Sequence, residues 1–230
     1  MANFGNRIIR AAKLDVSLYE EVEADKSSLG QAMGVVVLSS VAAGIGNTRT
    51  QAGLLGMLLM IVVALVGWYI WAYLTYFIGT KLLPEPQTKA DLGELLRTTG
   101  FSSSPGLIRV LGVIPVLQGI VFPIAGIWML VAMVIAVRQA LDYSSTLRAV
   151  GVCLIGFIIQ IVLFGLLFYM LGGFSGAAAG DYVPTVVEGW CRFHFFYISL
   201  PFVFPQVLYL FPNHQDMISA SIAAYIRRSA

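Results

Sequence analysis

Long runs of apolar residues without charge set the pattern of this chain. The run from Ala149 to Met170 has 22 residues, no charged residue and a single strongly polar side chain, Gln160. At about 1.5 Å per residue, a helix of this length crosses a hydrocarbon core of roughly 30 Å. Its many valine, leucine, isoleucine and phenylalanine residues favour insertion strongly enough to carry one buried amide. The pattern therefore predicts a membrane-spanning helix with Gln160 inside it.

Four further apolar runs precede this helix. They predict spans over the ranges Leu29–Gly46, Leu54–Ile78, Gly106–Gln118 and Ile124–Val137. The last two are short and are separated by Gly119–Pro123, so we expect them to form a hairpin with a tight reversal at that point. A later run, Trp190–Phe211, is long enough to span, but Pro201 and Pro205 each remove a backbone hydrogen bond. We expect a kinked, aromatic sixth span there.

Amphipathic segments flank the spans. Residues 4–26 place apolar side chains at helical spacing beside basic ones, which predicts one or two short helices lying on the membrane surface. The stretch TKADLGELLRTTGFSSSPG, residues 88–106, predicts a second surface helix, with Thr88 as its N-cap and Asp91 three residues later in the manner of a capping box. Residues 213–230 predict a third surface helix at the end of the chain.

Composition places the chain among membrane proteins. It is 58% hydrophobic and 11% charged, whereas soluble domains contain about 45–50% apolar and about 25% charged residues. The net charge of +2 is too small and too scattered to suggest binding to nucleic acid. The first hydrophobic run begins only near Leu29, after five acidic residues, unlike a cleaved signal peptide. We expect an all-α polytopic protein with five spans, a sixth C-terminal span and amphipathic surface helices.

Basic residues predict the orientation. Placing the N-terminus in the cytoplasm puts most lysines and arginines of the connections inside, and a sixth crossing returns Arg227 and Arg228 to the same side. We therefore expect a plasma (inner) membrane protein with both termini in the cytoplasm. We divide the chain into a cytoplasmic amphipathic segment at 1–28, a membrane domain at 29–173, and a part at 174–230 with the linker, the sixth span and the last surface helix.

Several residues are candidates for packing roles. Gly30 and Gly34 form a GxxxG pair, which suits close packing against another helix. Arg109 lies near the predicted start of the third span, where its long stem would snorkel to the cytoplasmic headgroups. Arg138 and Asp142 are four residues apart and predict an ion pair at the membrane surface. We favour this structural role for the pair over a proton or substrate site.

The sequence contains no pattern typical of an enzyme. It has no phosphate-binding glycine loop, no HExxH motif and no paired carboxylates within a span. Cys153 and Cys191 fall on different spans, and we expect both to be passive. His194 is one candidate ligand, because a neutral imidazole can bind the metal of a porphyrin or chlorin pigment and its aromatic neighbours can pack on the ring. We favour an interfacial structural histidine, and expect bound lipid rather than a cofactor.

Three stretches of the sequence resemble a known family. They read LDVSLYEEVEADKSSLGQAMGVVVLSSVAAGIG, ELLRTTGFSSSPGLI and WMLVAMVIAVRQALDYSSTLRAV. Through them the chain is similar to the prokaryotic branch of the Yip domain family, the Ypt-interacting multispan proteins, over about residues 14–173. The resemblance implies a five-span fold. It also implies a link to Golgi traffic and Rab-type GTPases for eukaryotic members, but no settled activity for prokaryotic ones. No catalytic residue is carried over, and the chain departs from the pattern after Gly173.

These observations lead to one functional hypothesis and two alternatives. We expect a non-enzymatic membrane protein that works through lateral contacts with other membrane proteins or with itself, as an accessory or scaffolding subunit or as a Yip-like membrane organiser. A small-solute transporter or channel is an alternative, because broken helices often line substrate paths. No span contains an acidic residue for ion coupling, which counts against it. A pigment-associated subunit that uses His194 is the second alternative.

Overall fold

The described part of the chain, residues 3–47 and 53–172 of the computed structural model, consists of helices joined by short connections. Its α-helices are α1 (Phe4–Ala12), α2 (Val16–Ala24), α3 (Leu29–Gly46), α4 (Gly53–Phe77), α5 (Leu92–Phe101), α6 (Pro115–Ala140) and α7 (Thr146–Gly172). Three other helical stretches are a 3₁₀ turn at Lys26–Ser28, a π-helical end of α4 at Ile78–Leu82, and a 3₁₀ helix at Ser104–Val113. The predicted all-α class is confirmed.

Four stretches of the described chain are long and apolar enough to cross a membrane. They are Lys26–Gly46, Gly56–Leu82, Pro115–Ala140 and Thr146–Leu163. These stretches coincide with α3, α4, α6 and α7, so the first, second and fifth predicted spans lie in the expected places. The protein is therefore a multi-pass membrane protein. The sixth span and the last surface helix, which were predicted beyond residue 173, lie outside the described residues.

The predicted hairpin of two short spans is wrong, because residues 115–140 form one continuous helix. Pro123 lies inside α6, where it removes the hydrogen bond to the carbonyl of Gly119, four residues earlier. Membrane helices accommodate such a loss through small local adjustments, so the apolar residues on both sides remain in one helix. The chain turns earlier, at Ile114, whose backbone is extended, and Pro115 then begins α6.

We call residues 92–113, which comprise α5 and the following 3₁₀ helix, the third pass through the bundle. The sequence predicts that α5 lies on the membrane surface. Three contacts mark its position beside α3: Gly100 with Ala32, Gly106 with Ser39, and Gly112 with Gly46. The residue numbers rise together, so α5 and the following 3₁₀ helix run parallel to α3 from one end to the other. Ten α-helical residues and ten 3₁₀ residues give about 15 Å plus about 20 Å. The predicted surface helix in the stretch 88–106 and the predicted start of the third span at Gly106 are therefore wrong.

Burial of α5 depends on hydroxyl groups that bond within the helix. All residues in the range Leu95–Phe101 are buried, including an arginine and two threonines. The hydroxyl of Thr98 donates to the carbonyl of Glu94 at 2.9 Å, and the hydroxyl of Thr99 donates to the carbonyl of Leu95. The hydroxyl of Thr99 also accepts from the indole N–H of Trp68, on α4, at 3.2 Å. Because both hydroxyls have hydrogen-bond partners, the helix can pack among α3, α4 and α6.

The N-terminal helices also join the bundle. One or two short helices were predicted over residues 4–26, and α1 and α2 occupy this range. However, α2 does not lie on the surface, because Leu18, Tyr19 and Val22 are fully buried where α2 meets α5 and α6. Ile9 of α1 remains more than half exposed. The N-terminal segment is therefore part of the packed structure rather than a separate peripheral layer.

The bundle has two ends, which we name by what they carry. The N-terminal face carries α1, α2, the connection 83–91 and the turn between α6 and α7. At this face Gln139 Nε2 donates to Glu20 Oε1 at 2.9 Å. The opposite face carries the end of α3 and the start of α6, where Gln118 Nε2 donates to Asn47 Oδ1 at 3.1 Å. The passes along α3, α4, the third pass, α6 and α7 connect these two faces in turn.

Candidate functional site

A buried arginine fixes the first two helices to the bundle. The guanidinium of Arg7, on α1, donates to Glu21 Oε1 at 3.0 Å, to Asp25 Oδ2 at 2.9 Å and to Gln31 Oε1 at 2.9 Å. Burial disfavours its charge, but the bonds to Asp25 and Glu21 outweigh burial and raise the pKa of Arg7 above its usual value. One side chain thus connects α1, the end of α2 and the start of α3.

Arg10 adds a second set of contacts on the same side of α1. It donates to Asp15 Oδ2 at 2.8 Å, to Glu21 Oε2 at 2.6 Å and to the hydroxyl of Ser17 at 3.0 Å. Asp15 also caps α2 by accepting from the backbone N–H of Ser17. The bond from Arg10, helped by Arg7, lowers the pKa of Glu21 despite its partial burial. Both helices are therefore held as one unit by ionised groups.

α5 begins at the N-terminal face with a capping box. The backbone N–H of Glu94 donates to Asp91 Oδ1 at 2.8 Å, and the backbone N–H of Asp91 donates to Glu94 Oε2 at 2.7 Å. The prediction that Thr88 is the N-cap is wrong, because the hydroxyl of Thr88 instead accepts from the backbone N–H of Glu85. The capping box holds the carboxylate of Glu94 at the surface, opposite α2.

Arg97, one turn into α5, connects this helix to the end of α2. Arg97 is buried, with 5% of its surface exposed. Its Nε donates to the carbonyl of Val22 at 3.0 Å, and the same guanidinium donates to the carbonyl of Glu23. The last carbonyls of a helix have no partner within the helix, and a cation beside them is favoured by the helix dipole. Arg97 therefore acts as a C-cap that α5 supplies to α2.

The turn between α6 and α7 is tied to the end of α4. The hydroxyl of Tyr143 lies 3.0 Å from the carbonyl oxygen of Gly79 and 2.7 Å from that of Leu83, and its single hydrogen is shared between these two acceptors. The backbone N–H and hydroxyl of Ser144 donate to Glu85 Oε2 at 3.0 and 2.8 Å. These bonds from Ser144 lower the pKa of Glu85 below its usual value. The turn is thus fixed to the end of α4 and to the connection 83–91.

A depression on the N-terminal face lies among these elements. One cavity of about 360 Å³ is lined by Glu20, Glu23, Ala24, Glu94, Gln139 and Asp142. An adjoining cavity of about 450 Å³ is lined by Gln87, Arg138, Gln139, Asp142 and Tyr143. The two cavities share Gln139 and Asp142, so they form one depression between α2, α5 and the α6–α7 turn. We call its first part the acidic groove, because four carboxylates line it.

Glu23 is the half-buried carboxyl of the acidic groove. Burial raises the pKa of Glu23 to about 7, and the nearby carboxylates of Glu94 and Asp142 act in the same direction. The charge of Arg97 opposes them with a smaller effect. A carboxyl group that exchanges its proton near neutral pH is typical of functional positions in proteins. The groove therefore changes its charge in the pH range in which cells operate.

The predicted ion pair between Arg138 and Asp142 is not formed within the described structure. Arg138 instead donates to the carbonyl oxygens of Tyr143 and Ser144, at 3.2 and 3.3 Å. The reason is that α6 ends at Ala140 and Asp142 has a left-handed backbone, with φ of 52°, so the two side chains no longer share a helical face. Arg138 caps the turn, and Asp142 faces the acidic groove.

Arg109 lies far from the position that the sequence predicts. Its backbone contacts Gly46 near the opposite face, and its guanidinium contacts Met129 Sδ inside the bundle. It does not snorkel to the headgroups beside α1 and α2, because the third pass starts with α5 and has almost ended when it reaches Arg109. A cavity of about 40 Å³ lies beside it, with a lining of Val36, Ser39, Ser40, Ala64, Trp68, Ser103, Arg109 and Met129.

The remaining predicted residues do not come together in one site. A Cβ at Gly30 would meet no atom within 4 Å, and one at Gly34 would lie 3.4 Å from the ring of Phe4. Gln160 is 1% exposed, and neither polar atom of its amide has a hydrogen-bond partner in the described structure. His194, the candidate pigment ligand, lies outside the described residues.

The candidate residues that sequence reasoning missed are those of the N-terminal face. Within residues 3–47 and 53–172, no group of three or more histidine, cysteine or acidic side chains is arranged to hold a metal ion. Arg97 offered a usable signal, because it is the one charged residue between 95 and 108. An isolated charge in such a run often marks a buried residue with a specific partner. Glu23 offered none, because its partners come from α5 and the α6–α7 turn.

Comparison with known proteins identifies one family. A model of the Yip1 domain matches residues 19–167 of the chain. The match begins within α2 and ends within α7, so it includes the third pass and every residue that lines the acidic groove. No curated protein and no solved structure matches the chain.

Proposed function

The chain belongs to the Yip1 domain family, and we propose that it is a non-enzymatic membrane organiser that works through contacts with other membrane proteins or with further copies of itself. In this role it serves as an accessory or scaffolding subunit of a membrane assembly. The observation that carries the proposal is that the polar residues of the third pass are used inside the bundle. Because these polar groups form hydrogen bonds inside the bundle, the chain acts through its outer surfaces.

Hydrogen bonds of the third pass support a packed bundle rather than a solute path. The hydroxyl of Ser102 donates to the carbonyl of Thr99 at 2.7 Å, and the hydroxyl of Ser104 donates to the carbonyl of Phe101 at 2.7 Å. The cavity beside Arg109 is about 40 Å³, which is room for water but not for most solutes. The transporter or channel alternative therefore has less support than a contact function.

We place the N-terminal face in the cytoplasm, in a plasma membrane. Basic residues are enriched in the cytoplasmic connections of membrane proteins. The described elements of this face carry Arg7, Arg10, Lys13, Lys26, Lys89, Arg138 and Arg148. In this orientation a partner meets polar groups at the N-terminal face and apolar side chains along the spans, such as Ile127 on α6, which is 65% exposed.

Photo-crosslinking in native membranes tests this proposal. A photoreactive residue replaces Gln87, which is exposed on the N-terminal face, or Val116, which is 82% exposed on the opposite face. We expect the Gln87 position to give one reproducible protein adduct, identified by mass spectrometry after native gel separation, and the Val116 position to give much less of it. Equal, non-specific adducts at both positions would contradict the proposed contact surface.

Two further measurements address the alternatives with the same purified full-length protein. The protein is reconstituted in liposomes that are loaded with small solutes or ions. We expect no solute flux above that of liposomes without protein, and specific flux would overturn the proposal in favour of transport. An absorption spectrum should lack a pigment band. A band that disappears in His194→Ala would instead support the pigment-associated subunit.

A further inference from the structure

Packing of α2 against the bundle buries two polar groups, the hydroxyl of Tyr19 and the carboxyl of Glu23, and this burial costs free energy. Tyr19 is fully buried, and its hydroxyl has no hydrogen-bond partner among the described residues. Glu23 follows four residues later on the same side of α2 and is half-buried. A buried hydroxyl without a partner and a buried carboxylate both lose hydration that water would supply if α2 moved away. The docked position of α2 is therefore less stable than its apolar contacts alone would make it.

The groups that face Glu23 come from each element packed around it. They are Glu20 on α2, Glu94 and Arg97 on α5, Gln139 on α6, and Asp142 in the α6–α7 turn. Arg97 directs its hydrogen bonds to the carbonyl oxygens of Val22 and Glu23. Arg138, in the adjoining cavity, bonds to carbonyl oxygens of the turn. An ionised Glu23 therefore meets three other carboxylates with no cation in an ion pair with it in the described structure.

We propose that α2 is a proton-sensitive strap, which packs firmly on α5 and the α6–α7 turn when the Glu23 carboxyl is protonated and loosens when it is ionised. Loosening separates the carboxylates of the groove and hydrates the hydroxyl of Tyr19. It also changes the surface that the N-terminal face offers to a partner, and this consequence for partner binding rests on the function proposed above.

The direction of the pH dependence follows from the two states of α2. The docked carboxyl has a pKa of about 7, whereas the ordinary glutamate value is 4.5, so the docked state holds the proton more strongly. The contribution of this proton to docking is fully present below about pH 4.5, declines as the pH rises, and is lost above about pH 7. Between pH 6 and pH 8 the docking equilibrium should weaken about tenfold.

Hydrogen exchange of the purified full-length protein in lipid nanodiscs tests the strap. Exchange of the amides in residues 16–24 is followed by mass spectrometry from pH 5.5 to 8.5 and corrected for the intrinsic effect of pH on exchange. We expect protection of α2 to fall about tenfold between pH 6 and pH 8, while peptides from the core of α6 stay unchanged. A flat profile for α2 would overturn the proposal, whatever the crosslinking experiment gives.

Three variants separate the parts of the proposal. Glu23→Gln should keep α2 protected at every pH, and a profile like that of the wild type would overturn the assignment to Glu23. Asp142→Asn should move the midpoint to lower pH, because it removes a repelling charge at a left-handed position that asparagine tolerates. Tyr19→Phe should raise protection at all pH values by at least about fivefold with the same slope. Lower protection in Tyr19→Phe would contradict the role given to its hydroxyl.

Discussion

Individual glycines decide how closely the third pass approaches α3. A Cβ at Gly100 would lie 2.7 Å from the Cβ and 3.1 Å from the carbonyl oxygen of Ala32. A Cβ at Gly112 would lie 2.7 Å from the carbonyl oxygen of Gly46. These neighbours include backbone atoms of a helix, which cannot move as cheaply as the end of a flexible side chain. The parallel contact of the two passes therefore requires positions without side chains.

Gly100→Ala tests this requirement at one position. We expect the substitution to lower the stability of the folded protein by about 1–3 kcal/mol, because added atoms in a filled interior force the backbones apart. The measurement is the midpoint of thermal unfolding in detergent micelles. Gly30→Ala is the matched control, since it adds the same methyl group to a helical glycine that has open space around it. Equal midpoints for the two variants would contradict the packing described here.

Spacing in the sequence identified small residues but not the residues they pack against. Gly30 and Gly34 have the GxxxG spacing, yet the close backbone contacts in the described structure are made at Gly100 and Gly112 among others. A pattern of small residues indicates where two helices can approach closely. Which helix packs there depends on the arrangement of the whole bundle. The contacts of Gly100 and Gly112 with α3 could not be predicted, because their segment was assigned to the membrane surface and to a span of unknown neighbours.

At the scale of the element, α5 explains the largest error in the predicted fold. The sequence predicted a helix on the membrane surface here, from the capping pattern at its start. In the structure Thr98 and Thr99 bond to carbonyls of their own helix, and Arg97 bonds to the end of α2. Each polar group is satisfied at short range, so the helix can be buried. Hydropathy alone could not reveal this, since it counts polar atoms without their partners.

Arg97→Gln tests the role of α5 as an anchor for α2. We expect the loss of charged hydrogen bonds to cost about 1.5–3 kcal/mol, which speeds exchange of the α2 amides more than tenfold. Hydrogen exchange at fixed pH measures this effect. Arg148→Gln is the matched control, because that side chain is half exposed and its contacts, with Glu85 and the carbonyl of Pro84, involve no residue of α2. Unchanged α2 protection in Arg97→Gln would exclude the anchor.

For the whole molecule, the predicted all-α membrane class agrees with the structure, but the predicted position of the third pass does not. Apolar runs placed α3, α4 and α7 correctly because long uncharged helices have few alternatives in a membrane. The third pass was displaced toward the N-terminus, to residues 92–113, and α6 became a full-length helix from Pro115. The acidic groove could not be predicted at all, because its carboxylates come from α2, α5 and the α6–α7 turn, and their proximity is a property of the assembled bundle.

Cysteine labelling distinguishes this arrangement from the hairpin that the sequence suggested. In a variant with Cys153→Ala and Cys191→Ser, single cysteines replace Lys89 or Val116, on the two sides of the third pass. We expect a membrane-impermeant maleimide to label position 116 in intact cells, and to label position 89 only after permeabilisation, because the segment 92–113 separates them by about 35 Å. In the hairpin, position 116 lies inside the third span, two residues before its end, so we expect weaker labelling there than in the structure described here. Labelling of both positions from outside would place the N-terminal face on the wrong side and would show that the segment does not cross.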